Sequence, residues 1–289
     1  MEDVERQLFA WADDLGLLPG SALAERFRQA RFGQFASLVY PDAEDLLIYA
    51  KWLAWLFVVD DQFDENRAPD HGGIAHGVRQ FLPPPGSPVA APRDPASAAL
   101  VDMWPELAAP MPPPLQERFR EHTDVYARSY ATELANARTG RAPGLGPYID
   151  LRRASGAVET CVDLLERRPA AYLPPERALS ENLLALREAA NDIICWSNDV
   201  MSLAKEVQHG ELNNLVAVLR DSTGLGWQAA LEVATEMVGA RTREFERLKS
   251  ELVPPGDPLG FGAFVEGTEL WIAGSLDWHR SSPRYAAAP

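Results

Sequence analysis

In the segment Asn198-Asp199-Val200-Met201-Ser202-Leu203-Ala204-Lys205-Glu206, the oxygen-bearing residues Asn198, Ser202 and Glu206 recur at every fourth position. Residues four apart share one face of an α-helix, so the spacing predicts a helix with a polar stripe about two turns long. Three neutral or anionic oxygens in line suit a hard divalent cation such as Mg2+. Asp199 points away from the stripe and is not counted as a ligand. Far upstream, the apolar run Trp52-Leu53-Ala54-Trp55-Leu56-Phe57-Val58-Val59 leads directly into Asp60-Asp61-Gln62-Phe63-Asp64-Glu65. Carboxylates that end an apolar, aromatic helix imply a greasy cavity with a charged mouth. They also oppose the helix macrodipole, a local cost that bound cations would offset.

Helical periodicity dominates the remainder and alternating β-patterns are scarce, so the chain reads as all-α. Helices are expected at about 2–15, 22–39, 43–66, 97–109, 114–138, 146–168, 176–208, 226–252 and 259–279. Proline supplies the punctuation. The clusters at Pro83-Pro84-Pro85, Pro110 to Pro114, Pro174-Pro175 and Pro254-Pro255 belong to connections or first turns. The proline-rich stretch 82–96 reads as a long loop inside one domain, because the motifs on either side of it must meet in space. No internal repeat suggests a solenoid.

Composition narrows the function. Hydrophobic residues at 46% of 289 suffice for a real core. A formal net charge of −15 argues against nucleic acid, which calls for a basic face. An acidic chain can still hold an anionic ligand through metal ions, because loaded carboxylates become a cationic surface. Cys161 and Cys195 are the only cysteines, which fits a reducing compartment. The first residues lack the basic and apolar regions of a signal peptide, and no stretch has the apolar length of a membrane span. A cytoplasmic protein that binds no membrane is the expectation, as a monomer or a homodimer.

The two motifs together resemble those of the bacterial class I terpene synthases. In that family a DDxxD motif and an N-D-x-x-S-x-x-x-E motif hold three Mg2+ ions against the diphosphate of a linear isoprenoid. Arg152 precedes Asn198 by 46 residues, the family's separation for its diphosphate-sensing arginine, and Arg284-Tyr285 repeats the family's terminal pair. The resemblance runs from residue 60 to 285 and implies a single-domain helical bundle, residues 1–289, enclosing an apolar active-site cavity, with a segment at about 281–289 closing over it. It implies Asp60, Asp61 and Asp64 on one rim and Asn198, Ser202 and Glu206 on the other as metal ligands. Arg152, Lys205, Arg284 and Tyr285 would contact the diphosphate. The planar guanidinium fork suits phosphate oxygens, and Arg153, adjacent to Arg152, remains an alternative in that role. Ser155 and Gly156 stand at the family's linker and effector offsets, with Ser155 replacing a frequent aspartate. A glycine there permits a kink and exposes a carbonyl toward the cavity. Phe57 and Trp278 are candidates to face carbocations with their aromatic rings, while Trp52, Trp55, Trp196 and Trp271 read as core.

The implied reaction is Mg2+-dependent loss of diphosphate from farnesyl diphosphate, followed by cyclisation to a sesquiterpene hydrocarbon or alcohol. Geranyl and geranylgeranyl diphosphate remain open as substrates. A prenyl diphosphate synthase normally carries two aspartate-rich motifs, whereas the second motif here is of the Asn-Ser-Glu type. A di-iron carboxylate bundle needs two Glu-x-x-His repeats, and this chain offers only Glu206-Val207-Gln208-His209. A non-enzymatic acidic helical interaction protein is the alternative of a different class.

Overall fold

The computed structural model describes residues 1–64, 74, 77–139, 142–209, 213–257 and 260–282, except the side chains of Phe63, Asp64, Ala137, Thr139 and His209. Among the described residues the chain is all-α, without strands. In chain order the helices are α1 (Glu2–Asp14), α2 (Ser21–Ala30), α3 (Phe32–Val39), α4 (Leu46–Asp64), α5 (Pro95–Ala108), α6 (Pro113–Thr139), α7 (Leu145–Ser155), α8 (Val158–Leu165), α9 (Pro175–Ala178), α10 (Glu181–His209), α11 (Leu215–Thr223), α12 (Trp227–Leu252) and α13 (Gly262–Ser281). The helix α10 packs against α7, α8, α11, α12 and α13 and so runs through the middle of the bundle. One contiguous apolar core extends from Leu8 to Trp278. No helix among the described residues is long and apolar enough to cross a membrane.

Local chemistry sets several boundaries. The α5 start is a capping box: Asp94 accepts from the Ser97 amide at 2.7 Å, Ser97 Oγ accepts from the Asp94 amide at 3.1 Å, and Pro95 fills the first turn. The loop before it is tied to the core. Trp104 Nε1 donates to the Pro83 carbonyl at 2.7 Å, and Trp55 Nε1 holds the first turn of α5 itself by donating to the Ala96 carbonyl at 2.9 Å.

Three helices expected to be continuous are broken. The segment 22–39 divides at Arg31, whose φ of 52° is left-handed. The segment 146–168 divides at Gly156 and Ala157, and 176–208 divides between Ala178 and Glu181. Apolar periodicity continues across each break, so a pattern of burial does not reveal it. The helix α11, absent from the expected set, is capped by Asn214, which accepts from the Val216 amide at 2.9 Å, and ends at Gly224 with φ 73°. Its run Leu215 to Leu219 is buried throughout and therefore shows no amphipathic period.

Just past the α7–α8 break lies a buried ionic cluster joining α6, α8 and α10. The Asp163 carboxylate accepts from Arg118 Nε at 2.9 Å and from an Arg187 terminal nitrogen at 2.7 Å, with His122 Nδ1 at 2.7 Å. Glu166 pairs with Arg118, and Glu159 accepts from Arg187 Nε at 2.9 Å. Three carboxylates thus face two guanidinium groups and one imidazole, a set that balances when His122 carries a proton. Burial alone would push His122 down, but Asp163 outweighs it and the imidazole pKa is raised.

Candidate active site

The stripe forms on the inner helix α10 and its first member is held from two sides. Arg152, one turn before the end of α7, donates a terminal nitrogen to Asn198 Oδ1 at 2.9 Å. His279, near the end of α13, stands with Nε2 2.9 Å from Asn198 Nδ2. A guanidinium can only donate, so the amide atom facing it is the oxygen; the other end is the NH2, which donates to an unprotonated His279 Nε2. The chemistry of the neighbours therefore fixes which way the Asn198 amide points. One turn on, Ser202 Oγ donates to the Asn198 carbonyl at 2.7 Å and keeps its lone pairs.

Asp199, at 1% exposure, is the anchor behind the stripe. Its carboxylate accepts from Arg152 Nε at 2.9 Å, from the Tyr148 hydroxyl, and from the Leu215 amide at 2.8 Å. Tyr148 precedes Arg152 by one turn of α7, so both reach Asp199 from the same face. Asn214 completes the arrangement: its Nδ2 donates to the Asp199 carbonyl at 2.7 Å and to Glu206 Oε2 at 2.9 Å. The residue that caps α11 thereby also holds the last carboxylate of the stripe. Burial alone would lower the Arg152 pKa, but Asp199, Cys195, Tyr148 and Glu206 raise it well above the ordinary arginine value. Arg152 is a permanent cation at the head of the stripe. Lys205 is partly buried on the same stretch of α10.

The neighbouring arginine faces elsewhere. Arg153 grips Asp192 with two bonds of 2.8 Å, and Arg241 of α12 approaches the same carboxylate at 2.8 Å. Of the two candidates, Arg152 is the one in contact with the stripe.

The first acidic motif ends α4. Asp60 and Asp61 are partly buried there. The Tyr130 hydroxyl lies 3.4 Å from Asp60 Oδ1 and 2.6 Å from the Tyr126 hydroxyl, which in turn reaches the Leu56 carbonyl at 3.2 Å. The Asp64 side chain, Arg284 and Tyr285 lie outside the described residues. One turn before Asp61, Phe57 meets Trp278 with ring centroids 5.1 Å apart. Trp278 is 1% exposed, stacks on Phe35 at 4.3 Å and donates Nε1 to the Ala30 carbonyl at 2.9 Å. Adjacent residues of α13 thus touch both motifs: Trp278 the helix of the acidic one, His279 the head of the other. Trp52, Trp55, Trp196 and Trp271 are core residues.

Gly156 caps α7 and is not inside a helix; the left-handed residue at this break is Ala157, with φ 56°. The glycine is required sterically, because a β-carbon there would overlap Cys195 Sγ and approach the Arg152 carbonyl to 3.1 Å. The Ser155 hydroxyl is enclosed with no hydrogen-bond partner among the described residues. The Cys195 thiol, buried beside Arg152, has its pKa pushed up to about 12 by that burial.

Sequence reasoning missed Tyr148, Asn214, His279 and Tyr130. Two carried a signal: Tyr148 by its spacing of four from Arg152, and Asn214 as a capping residue before an apolar run. Among the described residues no three His, Cys, Asp or Glu side chains cluster as a metal site. The stripe instead offers an amide oxygen already turned toward a cation, a hydroxyl with unused lone pairs and a carboxylate held by Asn214. These are hard oxygen donors, and they fit a hard divalent ion.

Comparison with known proteins gives a family whose description includes metal binding. The family model described as terpene synthase family 2, C-terminal metal binding, matches residues 51–244. The chain is 33% identical to the (+)-T-muurolol synthase of Roseiflexus castenholzii, described as farnesyl diphosphate cyclizing, over 98% of this chain and 88% of that protein. It is 31% identical to the 4-epi-cubebol synthase of Streptosporangium roseum, also farnesyl diphosphate cyclizing, over 100% of this chain and 88% of that one. The crystal structure of a-eudesmol synthase superposes with a TM-score of 0.84 at 26% identity, covering 97% of this chain and 94% of the other.

Proposed function

The chain belongs to terpene synthase family 2, and from that membership we propose that it is a Mg2+-dependent sesquiterpene cyclase that ionises farnesyl diphosphate and releases diphosphate. The observation that carries the reading is the bond between Arg152 and Asn198, which sets a fixed cation at the head of an Asn-Ser-Glu stripe. In this reading the whole chain is one α domain acting in the cytoplasm, where its two buried thiols stay reduced.

Asn198, Ser202 and Glu206 would hold metal on one side and Asp60, Asp61 and Asp64 on the other, for three ions in total. Bound Mg2+ supplies electrostatic stabilisation of the departing diphosphate. Arg152 adds donors whose charge no accessible pH removes, and Lys205, Arg284 and Tyr285 contribute further hydrogen bonds to the same group. Phe57 and Trp278 offer ring faces that favour positive charge over an apolar wall. The carbonyl at Gly156 adds a dipole of the same sense. Exclusion of water by the closed apolar bundle lets the cation cyclise before it loses a proton or captures water.

Incubation with geranyl, farnesyl and geranylgeranyl diphosphate, each with Mg2+, followed by gas chromatography–mass spectrometry, tests the reading. A sesquiterpene from farnesyl diphosphate is expected. Product from neither farnesyl diphosphate nor its neighbours, or from geranylgeranyl diphosphate alone, would overturn it. Asn198→Ala and Glu206→Ala should abolish turnover while far-UV circular dichroism stays that of the parent.

A further inference from the structure

We infer that Arg152 is a placeholder cation: without diphosphate it occupies the oxygen of Asn198, and it thereby keeps metal from settling on the stripe until an anion draws it away. The inference rests on the metal-binding reading of Asn198, Ser202 and Glu206. Its basis is the fork of Arg152. Nε is bonded to Asp199 at 2.9 Å and a terminal nitrogen to Asn198 Oδ1 at 2.9 Å, so one guanidinium spans an anchor and a ligand.

The two contacts differ in permanence. Asp199 is buried and fastened by Tyr148, the Leu215 amide and Asn214, and its backbone continues the same helix. Asn198 is fixed by His279 with its oxygen toward Arg152. An amide oxygen has two lone pairs, so accepting from Arg152 does not by itself bar a metal ion. Electrostatics opposes it, because a guanidinium and a dication on one amide oxygen are close like charges in a partly buried site. Diphosphate resolves the conflict. Its oxygens accept from the terminal nitrogens of Arg152 while Nε keeps its grip on Asp199, and Asn198 is released to the metal. Asp199 is then the pivot, a positioning residue, and metal and diphosphate bind with positive coupling.

Arg152→Lys is the discriminating variant. Its charge is unchanged, and its single nitrogen satisfies the buried Asp199 carboxylate, which protects the fold, but it lacks a fork to hold Asn198 as well. Mn2+ binding without diphosphate, read as free Mn2+ by electron paramagnetic resonance, should tighten at least about fivefold over wild type, the low end of ordinary coupling between sites. Arg152→Gln should behave likewise, and the gain should vanish when Glu206→Ala is added. Unchanged or weaker Mn2+ binding in both variants, or a gain that survives Glu206→Ala, overturns the inference alone. The metal-binding reading is checked separately on the wild type, where inorganic diphosphate should raise the melting temperature only with Mn2+ present. Protection independent of Mn2+ overturns that reading, and the placeholder role with it.

Discussion

Cys195 Sγ occupies the space that a β-carbon on residue 156 would need, so Gly156 and Cys195 form a matched pair where α10 packs on the α7–α8 break. Gly156→Ala should cost roughly 1–3 kcal/mol through overpacking. In a Cys195→Ala background the same change should cost much less. Denaturant unfolding of the four proteins in this cycle measures the coupling; additive effects would show that the backbone, and not the thiol, demands glycine.

Asn214 serves two masters, the first turn of α11 and the carboxylate of Glu206. Asn214→Ala should lose about 1 kcal/mol of stability as a lost cap. It should also weaken metal dependence by roughly 10–100-fold, as loss of a ligand's supporting bond commonly does. Asn214→Asp keeps the capping oxygen but sets a second oxygen against the Asp199 carbonyl and Glu206, so it should lose more stability than Asn214→Ala and also raise the Mg2+ needed for half-maximal turnover.

Arg152 and Arg153 should separate cleanly. Arg153→Ala removes a two-bond grip on the buried Asp192, for a loss of roughly 1–3 kcal/mol, with turnover largely preserved in the folded fraction. Arg152→Ala should instead sharply reduce kcat. Melting curves beside initial rates decide the point, and equal kinetic losses would return Arg153 to candidacy.

His122 gives the fold a pH dependence of definite sign. It faces Asp163 and Glu159 of α8, Arg187 of α10 and Arg118 of its own helix, with Glu166 beside them. Its pKa is raised on folding, so its contribution is complete below the unfolded value of about 6.5 and fades as pH rises through the raised value. The melting temperature of His122→Gln should therefore fall further below wild type at about pH 6 than at about pH 9. A constant gap would mean that the imidazole acts only by packing.

Both thiols should resist modification in the native protein. Cys161 and Cys195 are buried, and burial pushes each pKa up to about 12. A disulfide reagent at mild pH should react with neither until denaturant is added, when both should titrate. Fast labelling of Cys195 would reveal opening at the α7–α8 break.

Much of the architecture was legible because it depends on short-range periodicity. Spacing of four marks the stripe as helical, and prolines mark where helices stop. The break at Arg31 was not legible, and at 156–157 the glycine marked only a kink, since both are left-handed turns at residues other than glycine inside apolar patterns that continue. The anchor role of Asp199 was hidden for another reason. Its carboxylate partners Tyr148, Arg152 and Leu215, and Asn214 on its main-chain carbonyl, come from α7 and from the start of α11, and only the packed bundle brings them to one residue. His279 carries no sequence mark at all, because a buried histidine usually serves the core.

The bond from Trp278 Nε1 to the carbonyl of Ala30 crosses 248 residues of sequence and exists because the interruption at Arg31 releases that carbonyl from helical pairing. Any other aromatic at 278 would keep the ring contacts and strand a main-chain acceptor at the centre of the aromatic wall. In the proposed reading, where this wall faces the substrate, divergence toward new products is contingent on the far end of the chain. Residue 278 is free to vary only after the bend near residue 31 has straightened or found another donor, which orders the mutational paths open to descendants of this enzyme.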